Sequence, residues 1–187
     1  MNESSSNAEK ITVLFGSPHK DGFTAQLLQQ YLQEHHRHGE VTVFRSYDLA
    51  IQPCTDCGYC HEHLCCWHNG RDGYDQILQE IDRSDVLVIA SPVYFFGFPS
   101  PLKAIIDRAQ QRFYQYLENQ RLKPKNPVYT KKGVLLATCG SRDTRGFDVL
   151  RMQAEMFYRY LNAELQETYF MNGTDQREPL NGKDVPK

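Results

Sequence analysis

The sequence predicts an α/β domain: five parallel strands in the order 2-1-3-4-5, doubly wound, with helices on both faces of one sheet. Three observations carry this. Strand-length apolar runs alternate with segments of helical spacing along the 187 residues, a length suited to one core. Residues 85–90, DVLVIA, are almost continuously apolar, as in a parallel strand covered on both faces. Helical segments between successive strands require right-handed crossovers, which place ligands at the carboxyl ends of the strands.

The elements follow in order. After a polar leader, residues 1–10, ITVLFGS (11–17) reads as a strand closed by glycine. Phe23, Leu27, Leu28, Tyr31 and Leu32 then mark a helix that ends at Gly39. VTVFRSYDL (41–49) alternates like a second strand. A cysteine-rich insertion at 54–67 separates it from a short helix carrying Tyr74, Ile77, Leu78 and Ile81. The central strand is expected over 85–94. Residues 100–117 read as one helix, with Pro101 in its first turn and Leu102, Ile105, Ile106, Ala109 and Phe113 on one face. A Lys/Pro/Asn-rich connection (121–132) leads to the strand GVLLATCGS (133–141), a helix over 146–161 and a fifth strand over 164–170. The domain is thus expected over 11–170, and the polar, Gly- and Pro-containing residues 171–187 read as a tail.

The 21 basic and 23 acidic residues leave a formal charge of -2, no footprint for nucleic acid or an anionic membrane. No apolar run approaches the ~20 residues of a membrane span, and the first ten residues lack the order of a signal peptide. A cytoplasmic protein is the expectation. Nothing resembles a hydrolytic site, since neither Ser17 nor Ser91 sits in G-x-S-x-G. His35, His36 and His38 read as a solvated helix end.

Three loops fall on one sheet edge. GSPHKDGFT (16–24) joins a strand to a helix start, where N–H groups and the helix dipole suit an anion. Ser17, Thr24, His19 and Lys20 add donors, and Gly16 and Gly22 allow close approach of a phosphate. With neither a Walker sequence nor G-x-G-x-x-G, a phosphate monoester is the better ligand. The alternative is a polar turn with Asp21 or Thr24 as a helix cap. SPVYFFGFPSPLK (91–103) exposes Tyr94, Phe95, Phe96 and Phe98 to a ligand or second subunit, or else forms an apolar plug. TCGSRD (138–143) is the third loop.

GSPHKDGFT, PCTDCGYC, SPVYFFGFPSPLKAIIDR and TCGS, in this order and spacing, resemble the flavodoxin-like NAD(P)H-dependent FMN reductase family over about residues 11–142. The resemblance implies FMN phosphate binding at Ser17, His19, Gly22, Phe23 and Thr24. It implies contact of the isoalloxazine ring with Pro92, Val93, Tyr94, Phe95, Thr138, Cys139, Gly140 and Ser141. Family members usually carry Arg in place of His19, and Asn in place of Asp21 and Phe23, so the phosphate site here has less fixed positive charge.

Cys54, Cys57 and Cys60 form C-x-x-C-x-x-C, followed by Cys65 and Cys66. The first three repeat the start of a bacterial ferredoxin run, and a fourth ligand, Cys66 or its neighbour, would complete a [4Fe-4S] cluster, as in the iron-sulfur flavoproteins that the run also resembles. Zinc held with His61, His63 or His68, and thiols without metal, are the competing readings. Cys139 reads as a small packed residue.

The function expected from the resemblance is transfer of electrons from NAD(P)H through FMN to a quinone, a nitro or azo compound, free flavin or a redox protein. The alternative is an iron-sulfur flavoprotein electron carrier; a zinc or thiol sensor without flavin is the third reading. The exposed aromatics, with Phe113, Tyr114 and Tyr116, predict a symmetric homodimer.

Overall fold

The computed structural model describes residues 8–122 and 128–177. Residues 1–7 of the leader, 123–127 of the connection and 178–187 of the tail lie outside them. The sheet has five parallel strands in the order β2-β1-β3-β4-β5. These are β1 (Lys10–Phe15), β2 (Glu40–Arg45), β3 (Val86–Pro92), β4 (Lys131–Thr138) and β5 (Ala163–Met171). The helices are α1 (Phe23–His35), α2 (Tyr59–His63), α3 (Tyr74–Arg83), α4 (Ser100–Asp107), α5 (Gln110–Leu122) and α6 (Arg145–Tyr160). No helix among the described residues is long and apolar enough to cross a membrane.

The side chains of β3 sort by the two-residue period of a strand. Leu87 and Ile89 join α3, α4 and α6 through Ile77, Leu102 and Leu150, while Val86, Val88 and Ala90 join α1 through Leu27, Leu28 and Tyr31. All five of these β3 residues are buried, which explains the unbroken apolar run. Tyr158 of α6 reaches between β3 and β4, donating to the Val134 carbonyl (2.5 Å) and accepting from Ile89 N–H (3.1 Å).

Several expectations need correction. The second strand stops at Arg45 and turns through a 3-10 segment, Ser46–Asp48, with Ser46 buried. The single helix over 100–117 is two helices, broken at Arg108 and Ala109. The break lets Arg108 turn inward to Asp72, and both side chains are buried. His36 is no solvated end: it is buried, between Tyr31 Oη (2.9 Å) and Glu9 Oε2 (2.5 Å). Met171 belongs to β5, and the first residues assigned to the tail carry a 3-10 turn, Thr174–Gln176, that packs on the third loop.

Candidate functional site

The three loops leave β1, β3 and β4 at one rim, β1 and β3 being the neighbours at which strand order reverses. In the first loop, Ser17 is buried and its hydroxyl accepts from His19 N–H (3.2 Å). Gly22 is the residue before α1, in an extended conformation open to any residue, and no side chain caps the helix. The capping alternative for Asp21 or Thr24 is therefore overturned. With no acidic residue in the first turn, the leading N–H groups of α1 present an anion-attracting end. Thr24 is buried and shares a 2.8 Å hydrogen bond with Thr138 Oγ1, which ties the first loop to the third. Lys20 reaches sideways to Asp48 (3.2 Å), while Phe23 is half-buried and His19 exposed. Gly16 serves packing: a Cβ there would run into Leu102.

The second loop makes a tight reversal. Tyr94 N–H donates to Gly97 O (3.0 Å) and Gly97 N–H to Tyr94 O (2.8 Å). The two residues between, Phe95 and Phe96, both have positive φ, 46° and 58°. This is the pattern of a type I′ turn, which normally takes Asn-Gly. Bulky residues in that region are strained, and such strain collects at functional sites. Phe95 is fully exposed, at 107%, and Tyr94 and Phe96 are also exposed. Phe98 departs from expectation: it is buried in the main core beside Leu102, because Pro99 and Ser100 turn the chain into α4 just after it. Pro92 and Val93 are half-buried, and Val93 N–H donates to Thr138 O (2.8 Å), joining the second loop to the third.

In the third loop, Cys139 N–H donates to Met171 O (2.8 Å). The Cys139, Gly140 and Ser141 carbonyls accept from Thr174, Asp175 and Gly173 N–H. The Asp175 carboxylate stands where a Gly140 side chain would be. Gly146 of α6 plays a similar part for the second loop, since a Cβ there would meet Val93 and the Phe96 ring. Arg145 extends over that ring (5.5 Å) and pairs with Asp143, whose hydrogen bonds from Arg145 lower its pKa to about 2. Asp175 was missed because it lies in a stretch that reads as tail, and Gly146 because a glycine inside a helical pattern carries no ligand signal.

The cysteine run packs against the break between α4 and α5. Cys54, Cys57, Cys60 and Cys66 line one small cavity of about 30 Å³ with Arg108, Gln111 and Tyr114. Cys54 and Cys57 are exposed, whereas Cys60, Cys65 and Cys66 are half-buried, and none is in a disulfide. Burial, with the nearby Cys54, Cys66 and Cys57, pushes the Cys60 thiol pKa up. Among the described residues, no three His, Cys, Asp or Glu side chains grip a common point. The His61 ring instead lies tilted against Tyr114, and the His63 ring against Tyr59.

Sheet order and rim together define a doubly wound domain whose strand-order reversal lies beside an uncapped helix start. The chain belongs to the NADPH-dependent FMN reductase family, whose model matches residues 9–176. It is 31% identical over 136 residues to an iron-sulfur flavoprotein of Methanosarcina thermophila, covering 72% of this chain and 65% of that protein. An iron-sulfur flavoprotein of Methanocaldococcus jannaschii is 33% identical over 102 residues, 54% of this chain and 52% of that one. The chain thus spans about half to two thirds of the length of these relatives. Among solved structures, an NAD(P)H:quinone oxidoreductase from Methanothermobacter marburgensis shares the fold with a TM-score of 0.64 at 17% identity, covering 89% of this chain and 85% of that one.

Proposed function

We propose that the chain binds FMN at the rim and passes electrons from NADH or NADPH through it to a small-molecule acceptor. A quinone, a nitro or azo compound, or free flavin fits this role; a redox protein is the macromolecular counterpart. The observation that carries the reading is the uncapped start of α1, facing the same edge as a strained, exposed aromatic turn. Family membership supports it, as do relatives named FMN-dependent NADH:quinone oxidoreductases, one from Beijerinckia indica at 39% identity over 74 residues.

When bound, FMN supplies hydride acceptance and onward electron transfer. The chain's own groups bind and orient it. Ser17, His19, Gly22, Phe23 and Thr24 hold the phosphate end through hydroxyl and backbone donors. Pro92, Val93, Tyr94 and Phe95, with Thr138, Cys139, Gly140 and Ser141, frame the ring. No side chain is needed as acid or base for hydride arrival. Titrating FMN-free protein with FMN, followed by flavin fluorescence and melting temperature, tests the reading. Quenching with a raised melting temperature, then NAD(P)H oxidation by the loaded protein, is expected; no change in either signal overturns it.

A second proposal concerns Cys54, Cys57, Cys60 and Cys66 as ligands of a [4Fe-4S] cluster, which would supply one-electron transfer. The donor set fits in kind: four thiols share one cavity whose inner wall carries hydrogen-bond donors without partners. Cys54 and Cys57, on the exposed turn 54–58, form the outer part of that cavity. The names of the two archaeal relatives support this reading. Iron and sulfide assays on anaerobically purified protein decide it.

A homodimer completes the proposal, with a second copy covering Phe95 and the aromatic side of α5, a helix that buries only Gln111. Light scattering that finds a monomer with FMN bound overturns this part. The free thiols suit the reducing cytoplasm.

A further inference from the structure

We propose that Arg108 and Gln111 donate hydrogen bonds to a sulfur-rich anion held by Cys54, Cys57, Cys60 and Cys66, and so set its electron affinity. The inference rests on the cluster reading above and deepens it.

Arg108 is the largest fully buried side chain among the described residues. Its Nη1 is used twice, donating to Asp72 Oδ2 (2.5 Å) and to the Gln52 carbonyl (3.1 Å). Its Nε and Nη2 are buried with no hydrogen-bond partner, although the guanidinium lies over the Tyr74 ring (4.5 Å). One turn onward, Gln111 Oε1 accepts from Cys66 N–H and Asn69 Nδ2, both at 3.3 Å, which leaves Nε2 buried and unpaired. Three N–H bonds of Arg108 and two of Gln111 are thus without acceptors among the described residues.

Buried donors are rarely left so, because desolvation without a compensating bond is costly. These donors lie on the wall of a cavity of about 30 Å³. Both side chains share the cavity with the four cysteines, and its lining also includes Thr55, Asp56, His68 and Tyr114. Thiolates and bridging sulfides are acceptors that carry delocalised negative charge, the acceptor type this wall lacks. A tetrahedral zinc site has no such bridging sulfides. Asp72 already neutralises one formal charge on Arg108, so the wall offers mainly oriented N–H dipoles. Taking up one electron adds one negative charge to the cluster, and donors aimed at its sulfurs favour the reduced form.

The test uses full-length, anaerobically purified protein in three forms: wild type, Gln111→Glu and Arg108→Lys. Gln111→Glu keeps the Oε1 acceptor and replaces only the donating end; Arg108→Lys keeps the charge and removes most of the fork. Iron, sulfide and FMN content are measured first, then the one-electron midpoint potential of the cluster by dye-mediated titration followed by electron paramagnetic resonance. The expected result is a cluster in the wild type and a more negative potential in both variants. A tenfold loss in the reduction equilibrium would read as about 59 mV for one electron. A folded Gln111→Glu protein that keeps FMN but loses iron also sustains the inference. If Arg108→Lys does not fold, Gln111→Glu alone decides. Wild-type protein without iron or sulfide overturns the cluster reading itself. A loaded wild type and loaded variants with one common potential overturn the role of these two side chains while leaving the cluster standing.

Discussion

Replacing Phe95 by Asn separates the stability of the aromatic turn from its use. Phe95 sits at φ 46° with its side chain wholly exposed at 107%. An L residue in the left-handed region costs roughly 1–2 kcal/mol, and Asn tolerates that region best among non-glycine residues. Because the ring touches little, its removal forfeits almost no burial. Phe95→Asn should therefore stabilise the FMN-free chain by about 1 kcal/mol, which for a domain of this size raises Tm by roughly 2–4 °C. Phe96→Asn is the control. It relieves similar strain but removes a ring packed beside Gly146 and under Arg145, so its net effect should be near zero or unfavourable. Thermal melts by circular dichroism at low protein concentration measure both. The same Phe95→Asn protein should bind FMN more weakly, by about 2- to 10-fold if one ring contact worth roughly 0.5–1.5 kcal/mol is lost. A lower Tm for FMN-free Phe95→Asn would show that the ring is packed rather than free. An unchanged FMN affinity would remove Phe95 from the flavin site.

Other outcomes follow from the same contacts. Thr138→Val leaves the buried Thr24 hydroxyl unpaired, so it should cost about 1–3 kcal/mol and weaken FMN binding; the double Thr24→Val, Thr138→Val protein should recover part of the stability, as a urea-denaturation cycle would show. Gly140→Ala forces Asp175 away from the third loop, so it should raise the dissociation constant for FMN, and adding Asp175→Gly should restore it, by fluorescence titration. Asp72→Asn leaves Arg108 charged, buried and poorly paired, at a cost of about 3 kcal/mol or more in denaturation. Burial works to raise the Asp72 pKa, but hydrogen bonds from Arg108 and from the Gln52 and Tyr74 N–H groups outweigh it and hold it low. With the folded value depressed, its contribution is complete above the unfolded carboxylate value near ~4 and is lost as pH falls through the folded one. Stability of the wild type should therefore fall more steeply below about pH 4 than that of Asp72→Asn.

The strand order and the three loops were legible because the signals were local: DVLVIA announces a strand buried on both faces, and Gly16, Pro92 and Gly140 mark the ends of the rim strands. What stayed hidden depended on partners distant in sequence. Nothing in the spacing of 100–117 marks a break, since the break exists for a contact between Arg108 and Asp72, 36 residues apart. Phe98 and Phe95 look alike in a run of aromatics; only the direction of the chain into α4 buries one and exposes the other. His36 resembles its exposed neighbours until Glu9 and Tyr31 close around it. Residues 171–177 are polar enough to read as tail, yet their backbone groups complete the third loop.

The break after α4 also joins the two sites. α4 begins at Ser100, directly after the aromatic loop, and ends beside Arg108 at the cysteine cavity, eight residues or about 12 Å of helix later. Its start is fixed by Phe98 and Leu102 in the core, and its end by the Arg108–Asp72 pair, which also holds the strand of chain entering the cysteine run through the Gln52 carbonyl. The anchors at both ends, Phe98 and Leu102 at one and Arg108 at the other, are buried, so the helix cannot slide without breaking packed contacts or an ion pair. A rigid element of this length gives the rim and the cysteine cavity a constant separation, which would suit electron passage if the proposed flavin and cluster occupy them. Weakening the anchor should therefore disturb both ends: Asp72→Asn should loosen the cysteine run and also broaden the flavin environment, visible as reduced fluorescence anisotropy of bound FMN. Unaltered anisotropy in a folded Asp72→Asn protein would show that the two sites are mechanically independent.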